Sequence, residues 1–249
     1  MMSARYNKNY LSFVIARVDF SSPLKTDELP ANLRKTILEE FPIPEPKTIM
    51  EQEVIIKPQE KVELKGNVAG TEWNFHGKMR EKRLVMSPTF LSITYEKSYG
   101  SFEALQSEFL SIVEKLFEVY ENIDVVRLGL RYINEISLPE KNPLSWEEYL
   151  NPNLLTMFDI PEKKEDILRG FSELIFKVED MNLIFKYGIH NPDFPAPIRR
   201  KTFILDFDAQ NASLQEYTDI KYNLVKAHTE IGNLFEKCIK DRFRVIMNE

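Results

Sequence analysis

The chain has 249 residues, with 33 Lys+Arg against 39 Asp+Glu and a formal net charge of −6. Apolar residues make up 43% and charged residues 29%, the balance of a globular chain able to bury a sizeable core and unlike that of a disordered one. A single cysteine, Cys238, excludes an internal disulfide framework and any zinc site built on cysteines.

Taken in chain order, Leu11 to Phe20 has the β-branched and aromatic content of a strand. Asp27 to Phe41 reads as a helix through Leu33, Ile37, Leu38 and Phe41, stopped by Pro42, Pro44 and Pro46. Glu51 to Lys65 is extended, and three short strands follow at Thr71–Lys78, Arg83–Ser87 and Thr89–Tyr95. A helix runs from Phe102 to about Tyr120 on a stripe of Leu105, Phe109, Ile112 and Leu116.

Asp124 to Leu138 is the clearest strand. Ser145 to Glu148 has the form of a capping box and opens a short helix. Strands follow near Gly170–Val178, Asn182–Ile189 and Lys201–Asp208. A second capping box, Ser213 to Glu216, starts a helix reaching about Met247, with a stripe through Ile220, Leu224, Ala227, Ile231 and Cys238.

Each half thus reads strand, helix, antiparallel meander, helix, which predicts an α+β protein of two pseudo-repeated halves, 1–122 and 123–249. In outline this is similar to the TATA-binding-protein-like arrangement of curved sheets gripping long helices, an analogy of fold that carries no function.

Many chemistries leave a local mark, and those marks are missing here. No two of the eight glycines are separated by a single residue, so there is no G-x-G-x-x-G loop, and no Gly-Lys-Ser/Thr phosphate cradle or G-x-S-x-G elbow occurs. His76, His190 and His228 form no metal-binding pair, and no metal or cofactor is expected. The apolar stretch Leu11–Ala16 is too short for a signal peptide or a membrane span, which points to the cytoplasm and away from a membrane partner.

The strand from Arg127 to Ile136 carries the main candidate site. Alternation places Val126, Leu128, Leu130, Tyr132 and Ile136 on one face and Arg127, Gly129, Arg131, Ile133 and Glu135 on the other. Arg127 and Arg131, with Asn134, could receive a carboxylate or phosphate, because guanidinium forks bind both bidentately. Asp206 and Asp208 share a face of a later strand and suit an acid/base pair or a cation, although pairing with the arginine strand is the plainer reading. His228 reads as a packed histidine and Cys238 as core.

Lys78, Arg80, Lys82 and Arg83 form a basic hairpin that could touch a nucleic-acid backbone, as could Arg199-Arg200-Lys201. The net negative charge counts against nucleic acid as a partner. The proline-rich loop from His190 to Pro197 exposes Phe194 and reads as a rigid connection or a partner-binding element.

The string Arg127-Leu128-Gly129-Leu130-Arg131-Tyr132-Ile133-Asn134, together with Trp73-Asn74-Phe75 and Ser87 to Tyr95, resembles a sporadically distributed prokaryotic family of unassigned function. The likeness covers nearly the whole chain, including Ala227-His228 and the region of Phe235, Ile239 and Arg242. The first strand departs from it. Arg17-Val18-Asp19-Phe20 exchanges both charges of the family pattern, which suggests a same-face ion pair.

The resemblance implies an accessory or defence module whose partner comes from a neighbouring gene, and supplies no activity. The leading expectation is therefore a non-enzymatic binding protein with a protein partner or a homodimer, and the stripe of the long terminal helix fits either intrachain packing or that homodimer. A small anionic ligand on the Arg127/Arg131 face, with or without catalysis, is the alternative, and nucleic acid the third.

Overall fold

A computed structural model describes residues 6–55, 63–96, 98–121, 123–140, 142–213 and 216–249. Among the described residues nine strands and four α-helices form an α+β fold. The strands are β1 (Leu11–Phe20), β2 (Ile43–Ile55), β3 (Glu63–His76), β4 (Lys82–Met86), β5 (Phe90–Glu96), β6 (Val125–Ser137), β7 (Gly170–Val178), β8 (Met181–Ile189) and β9 (Thr202–Asn211). The helices are α1 (Ala31–Glu40), α2 (Phe102–Val119), α3 (Tyr217–Cys238) and α4 (Asp241–Asn248). Sheet order is β2-β3-β4-β5-β1-β6-β9-β8-β7, so β2 and β7 are the two edges.

The chain divides into two compact units. Unit 1 comprises Met1–Ile15, Gly129–Ala212 and Lys221–Glu249, and unit 2 comprises Ala16–Leu128 and Ser213–Ile220.

In unit 2, Val18, Leu84, Met86, Leu91 and Ile93 turn one side of their strands inward, where Leu33 and Ile37 of α1 and Leu105, Phe109 and Val113 of α2 are buried. Ser101 caps α2 by accepting from the Ala104 N–H, which satisfies one of the open donors of the first turn. Helix α1 stops at Glu40, with Phe41 as its cap directly before Pro42, while Pro44 and Pro46 lie inside β2. A proline cannot donate to a ladder, and an edge strand is where a sheet tolerates that loss.

In unit 1, Leu130, Tyr132, Asn134 and Ile136 of β6 and Phe203, Leu205, Phe207 and Ala209 of β9 face the buried side. Phe207 stacks on Phe185 at 4.8 Å and meets Phe235 of α3 edge-on at 6.3 Å. The apolar stripe of α3 is spent within the chain, since Leu224, Ala227 and Ile231 are all buried. These residues take the intrachain packing that the stripe allows.

Two helix expectations need correction. The terminal helix does not run unbroken to Met247, because it stops at Cys238 and restarts at Asp241. The Cys238 carbonyl accepts from Asn151 N–H at 2.8 Å, and Lys240 N–H donates to the Tyr149 carbonyl at 2.8 Å, so backbone groups at the break bond outside the helix. Ser145 opens no helix, only turns and short 3-10 segments. Its hydroxyl bonds Glu147 at 3.3 Å instead, while the fully buried Trp146 donates to the Pro143 carbonyl.

One glycine is obligatory. Gly188 has φ +145°, and a Cβ there would lie 2.1 Å from the Gly170 carbonyl oxygen. The start of β7 is therefore seated directly on the β8 backbone.

Candidate functional site

The arginines of β6 are placed as alternation requires, half-buried on the side of the sheet away from the helices. Each meets an acid. In unit 2, Arg127 Nη1 donates to Asp19 Oδ2 at 2.7 Å, and Asp19 also accepts from Arg17 Nε at 2.9 Å. Arg17 and Asp19 of the first strand thus form a same-face ion pair. Arg17 in turn lies 3.9 Å over the Phe90 ring.

In unit 1, Arg131 grips Asp206 bidentately, Nε to Oδ1 at 2.8 Å and Nη2 to Oδ2 at 2.6 Å. The hydrogen bond to Asp206 raises the Arg131 pKa above its ordinary value against the effect of burial, and the Asp206 and Asp208 charges add to the rise. Asp208 accepts from Gln210 Nε2 at 2.7 Å. Asn134 is separated from the arginines, for it is buried on the helix side and donates to the Leu205 carbonyl at 3.3 Å.

The Arg131–Asp206 pair continues outward through residues that the sequence analysis did not single out. Asp206 stands opposite Lys186 on β8, and Lys186 stands opposite Glu173 on β7. Lys186 Nζ reaches Glu173 Oε2 at 2.7 Å. Four strands therefore carry a ladder of alternating sign, Arg131, Asp206, Lys186 and Glu173, ending on the sheet edge.

A sequence signal for its outer half existed. The two-residue connection Glu179-Asp180, with Val178 opposite Met181, sets the β7–β8 register and thereby faces Glu173 toward Lys186.

Strand β7 is also where apolar side chains remain outside. Ile175 is 65% exposed and Leu174 51%, with Phe171 and Phe176 also exposed. Successive residues point to opposite faces, so this strand shows apolar surface on both. Among the described residues no strand pairs with its outer side. An uncovered strand edge presents backbone donors and acceptors to any extended chain that approaches.

The basic hairpin divides. Lys78 is exposed on the turn, and Arg80 is exposed with φ +58° while bonding Glu45. That bond is the main cause holding Glu45 below the ordinary carboxylate range.

Lys82 points the other way, with only 10% of its side chain exposed, and its amine donates to Glu40 at 2.9 Å and Glu108 at 2.8 Å. It lies 4.8 Å from the Phe41 ring centroid, and Glu108 also accepts from the Tyr95 hydroxyl. Burial alone would depress the Lys82 pKa, but the bonds to Glu108 and Glu40 outweigh it and hold it raised. The amine is thus enclosed by two carboxylates and a ring instead of standing on the turn. Arg83 is half-buried on the next position of β4, and its Nε finds no partner among the described residues.

Lys201 is likewise enclosed, bonded to Glu140 at 2.5 Å and set 5.2 and 4.9 Å from the rings of Trp146 and Tyr149. His228 Nδ1 lies 3.1 Å from the Tyr132 hydroxyl, a packed histidine on α3. Phe194 is exposed beneath Arg169, 5.0 Å from its ring centroid. Among the described residues no three His, Cys, Asp or Glu side chains gather as a metal site. Among the described residues no helix is long and apolar enough to cross a membrane.

No protein-family model matches the chain, and no curated protein matches it either.

Proposed function

We propose that this chain is a non-enzymatic binding protein of the cytoplasm, and that it recognises another polypeptide by adding an extended segment to the β7 edge. The observation that carries this reading is the coincidence on one strand of an unpaired edge with apolar side chains on both faces. Strand addition draws affinity from main-chain hydrogen bonds and specificity from alternating side chains, and β7 offers both.

The acids that already occupy Arg127 and Arg131 weigh against an anionic ligand on that face. The buried amine of Lys82 weighs against nucleic acid at the hairpin.

The pseudo-repeat of the two halves belongs to the same proposal. Each unit encloses one lysine against aromatic rings, bonded to a glutamate that also accepts from a tyrosine hydroxyl. In unit 2 these are Lys82, Glu108 and Tyr95, and in unit 1 Lys201, Glu140 and Tyr149.

Native mass spectrometry of the protein purified gently from its own cells tests the reading, with Ile175→Lys beside the natural sequence. Ile175 is largely exposed, so this change should leave stability within about 0.5 kcal/mol. A bound polypeptide that Ile175→Lys removes is the expected result. A small-molecule mass that persists in Ile175→Lys but vanishes in Arg131→Ala would replace it with the anionic-ligand reading.

A further inference from the structure

Resting on the β7 reading, we infer that the polypeptide this edge receives is the β7 strand of a second copy of the chain, paired antiparallel about a twofold axis at Ile175. The self-complementarity lies in the sequence of the strand. With Ile175 opposite its counterpart, Glu173 faces the partner's Lys177 and Lys177 faces the partner's Glu173, both on the face that carries the ion-pair ladder.

On the other face Leu174 meets the partner's Phe176, and Phe176 the partner's Leu174. Cross-strand pairs of opposite charge and of apolar side chains are the units that stabilise a sheet. A closed twofold contact of this kind is the commonest way for one surface to satisfy itself.

The ladder supplies the independent argument. Arg131, Asp206, Lys186 and Glu173 alternate in sign across four strands and stop at an acid. The next position outward calls for a cation. Lys177 is exposed, makes no ion pair among the described residues, and stands on the same face as Glu173. In the paired edge it becomes the fifth rung, and the twofold repeats the series in reverse. The row Ile184–Ile175 continues likewise into the partner's Ile175 and Ile184.

Neighbouring registers do worse. A shift one way sets Glu173 against Ile175 and Lys177 against Phe171. A shift the other way sets Glu173 against the partner's Glu179. A twofold about an axis normal to the sheet keeps like faces together, so only even shifts are open, and one of them satisfies both charges.

The experiment is a charge swap on the full chain. Glu173→Lys and Lys177→Glu are both at exposed positions. Alone, each sets like charges opposite one another twice per interface, and should weaken self-association on the order of tenfold or more. Mixed, the two variants face each other with opposite charges at both contacts, so native mass spectrometry should show the heterodimer in excess over either homodimer. Hydrogen exchange of the β7 amides, followed against protein concentration, accompanies it and should slow as the dimer forms.

A dimer indifferent to both swaps, with β7 amides still exchanging freely, overturns the inference by placing the contact elsewhere. A protein that stays monomeric at about 100 µM with rapidly exchanging β7 amides overturns self-pairing and leaves the edge open for a different polypeptide. Protected β7 amides in a monomer overturn this inference and the reading beneath it together.

Discussion

Lys82 offers the sharpest test of how unit 2 is held together. Replacing it by Met keeps the stem and removes the amine, which leaves Glu108 facing the core with 18% of its side chain exposed and the Tyr95 hydroxyl as its remaining donor. A hydrogen bond to a charged group contributes roughly 1.5–3 kcal/mol, and that range applies to the Glu108 arm. Glu40 is 53% exposed, so solvent and salt reduce its arm to between about 0 and 1 kcal/mol. The contact over Phe41 adds roughly 0.5–2 kcal/mol.

The loss should therefore be about 3–4 kcal/mol, within the range for removing one partner of a buried pair. In a chain of this size that amounts to roughly 6–16 °C in Tm. Chemical denaturation of Lys82→Met, Glu108→Gln and the double variant measures it as a cycle. The double variant should recover part of the loss, because no carboxylate then stays enclosed without its amine. A cost below about 1 kcal/mol for Lys82→Met would refute the reasoning and return the amine to solvent, where the nucleic-acid reading could use it.

Arg131→Ala leaves Asp206 with 7% of its side chain exposed and no guanidinium. It should destabilise unit 1 by about 2 kcal/mol, less than a fully buried pair because Arg131 itself is 37% exposed, and Arg131→Lys should recover less than half since one amine cannot make both bonds; urea midpoints check both values. Cys238 has its thiol pushed up from 9.0 to about 12, by burial first, with the Lys237 charge opposing. Native protein should consume almost no thiol reagent at pH 8, against one equivalent after unfolding. Above pH 9 the unfolded chain releases this proton while the folded one keeps it, so stability should fall as pH rises from about 9 to 12, and Cys238→Ala should remove that share of the slope.

The residues that announced themselves in the sequence did so through period. Leu128, Leu130, Tyr132 and Ile136 alternate with Arg127 and Arg131, and alternation alone placed the arginines on the half-exposed side. Asn134 falls on the core side by the same rule, on the face opposite the arginines with which its chemistry groups it.

What period does not carry is the identity of tertiary partners. The stripe of α3 continues in phase past Cys238, and only a segment some ninety residues earlier, Tyr149 to Asn151, reveals that the helix must break there. The proline run after α1 reads only as a helix stop until the strand containing Pro44 and Pro46 proves to be an edge. Glu173, Lys177 and Lys186 read as scattered surface charges until the hairpin register sets two of them in line with Arg131 and Asp206.

The interleaved make-up of the two units also fixes an order of events during synthesis. Almost all of unit 2 lies in one continuous run, Ala16–Leu128, and only Ser213–Ile220 is added later. Unit 1 draws on both ends of the chain, so it is complete only once residues 221–249 have followed, about 120 residues beyond Leu128. At roughly 5–20 residues per second the ribosome takes some 6–24 s over that stretch. During this interval Leu11–Ile15 has β6 to pair with but lacks the later helices of its unit, so its buried side is left uncovered until α3 and α4 arrive.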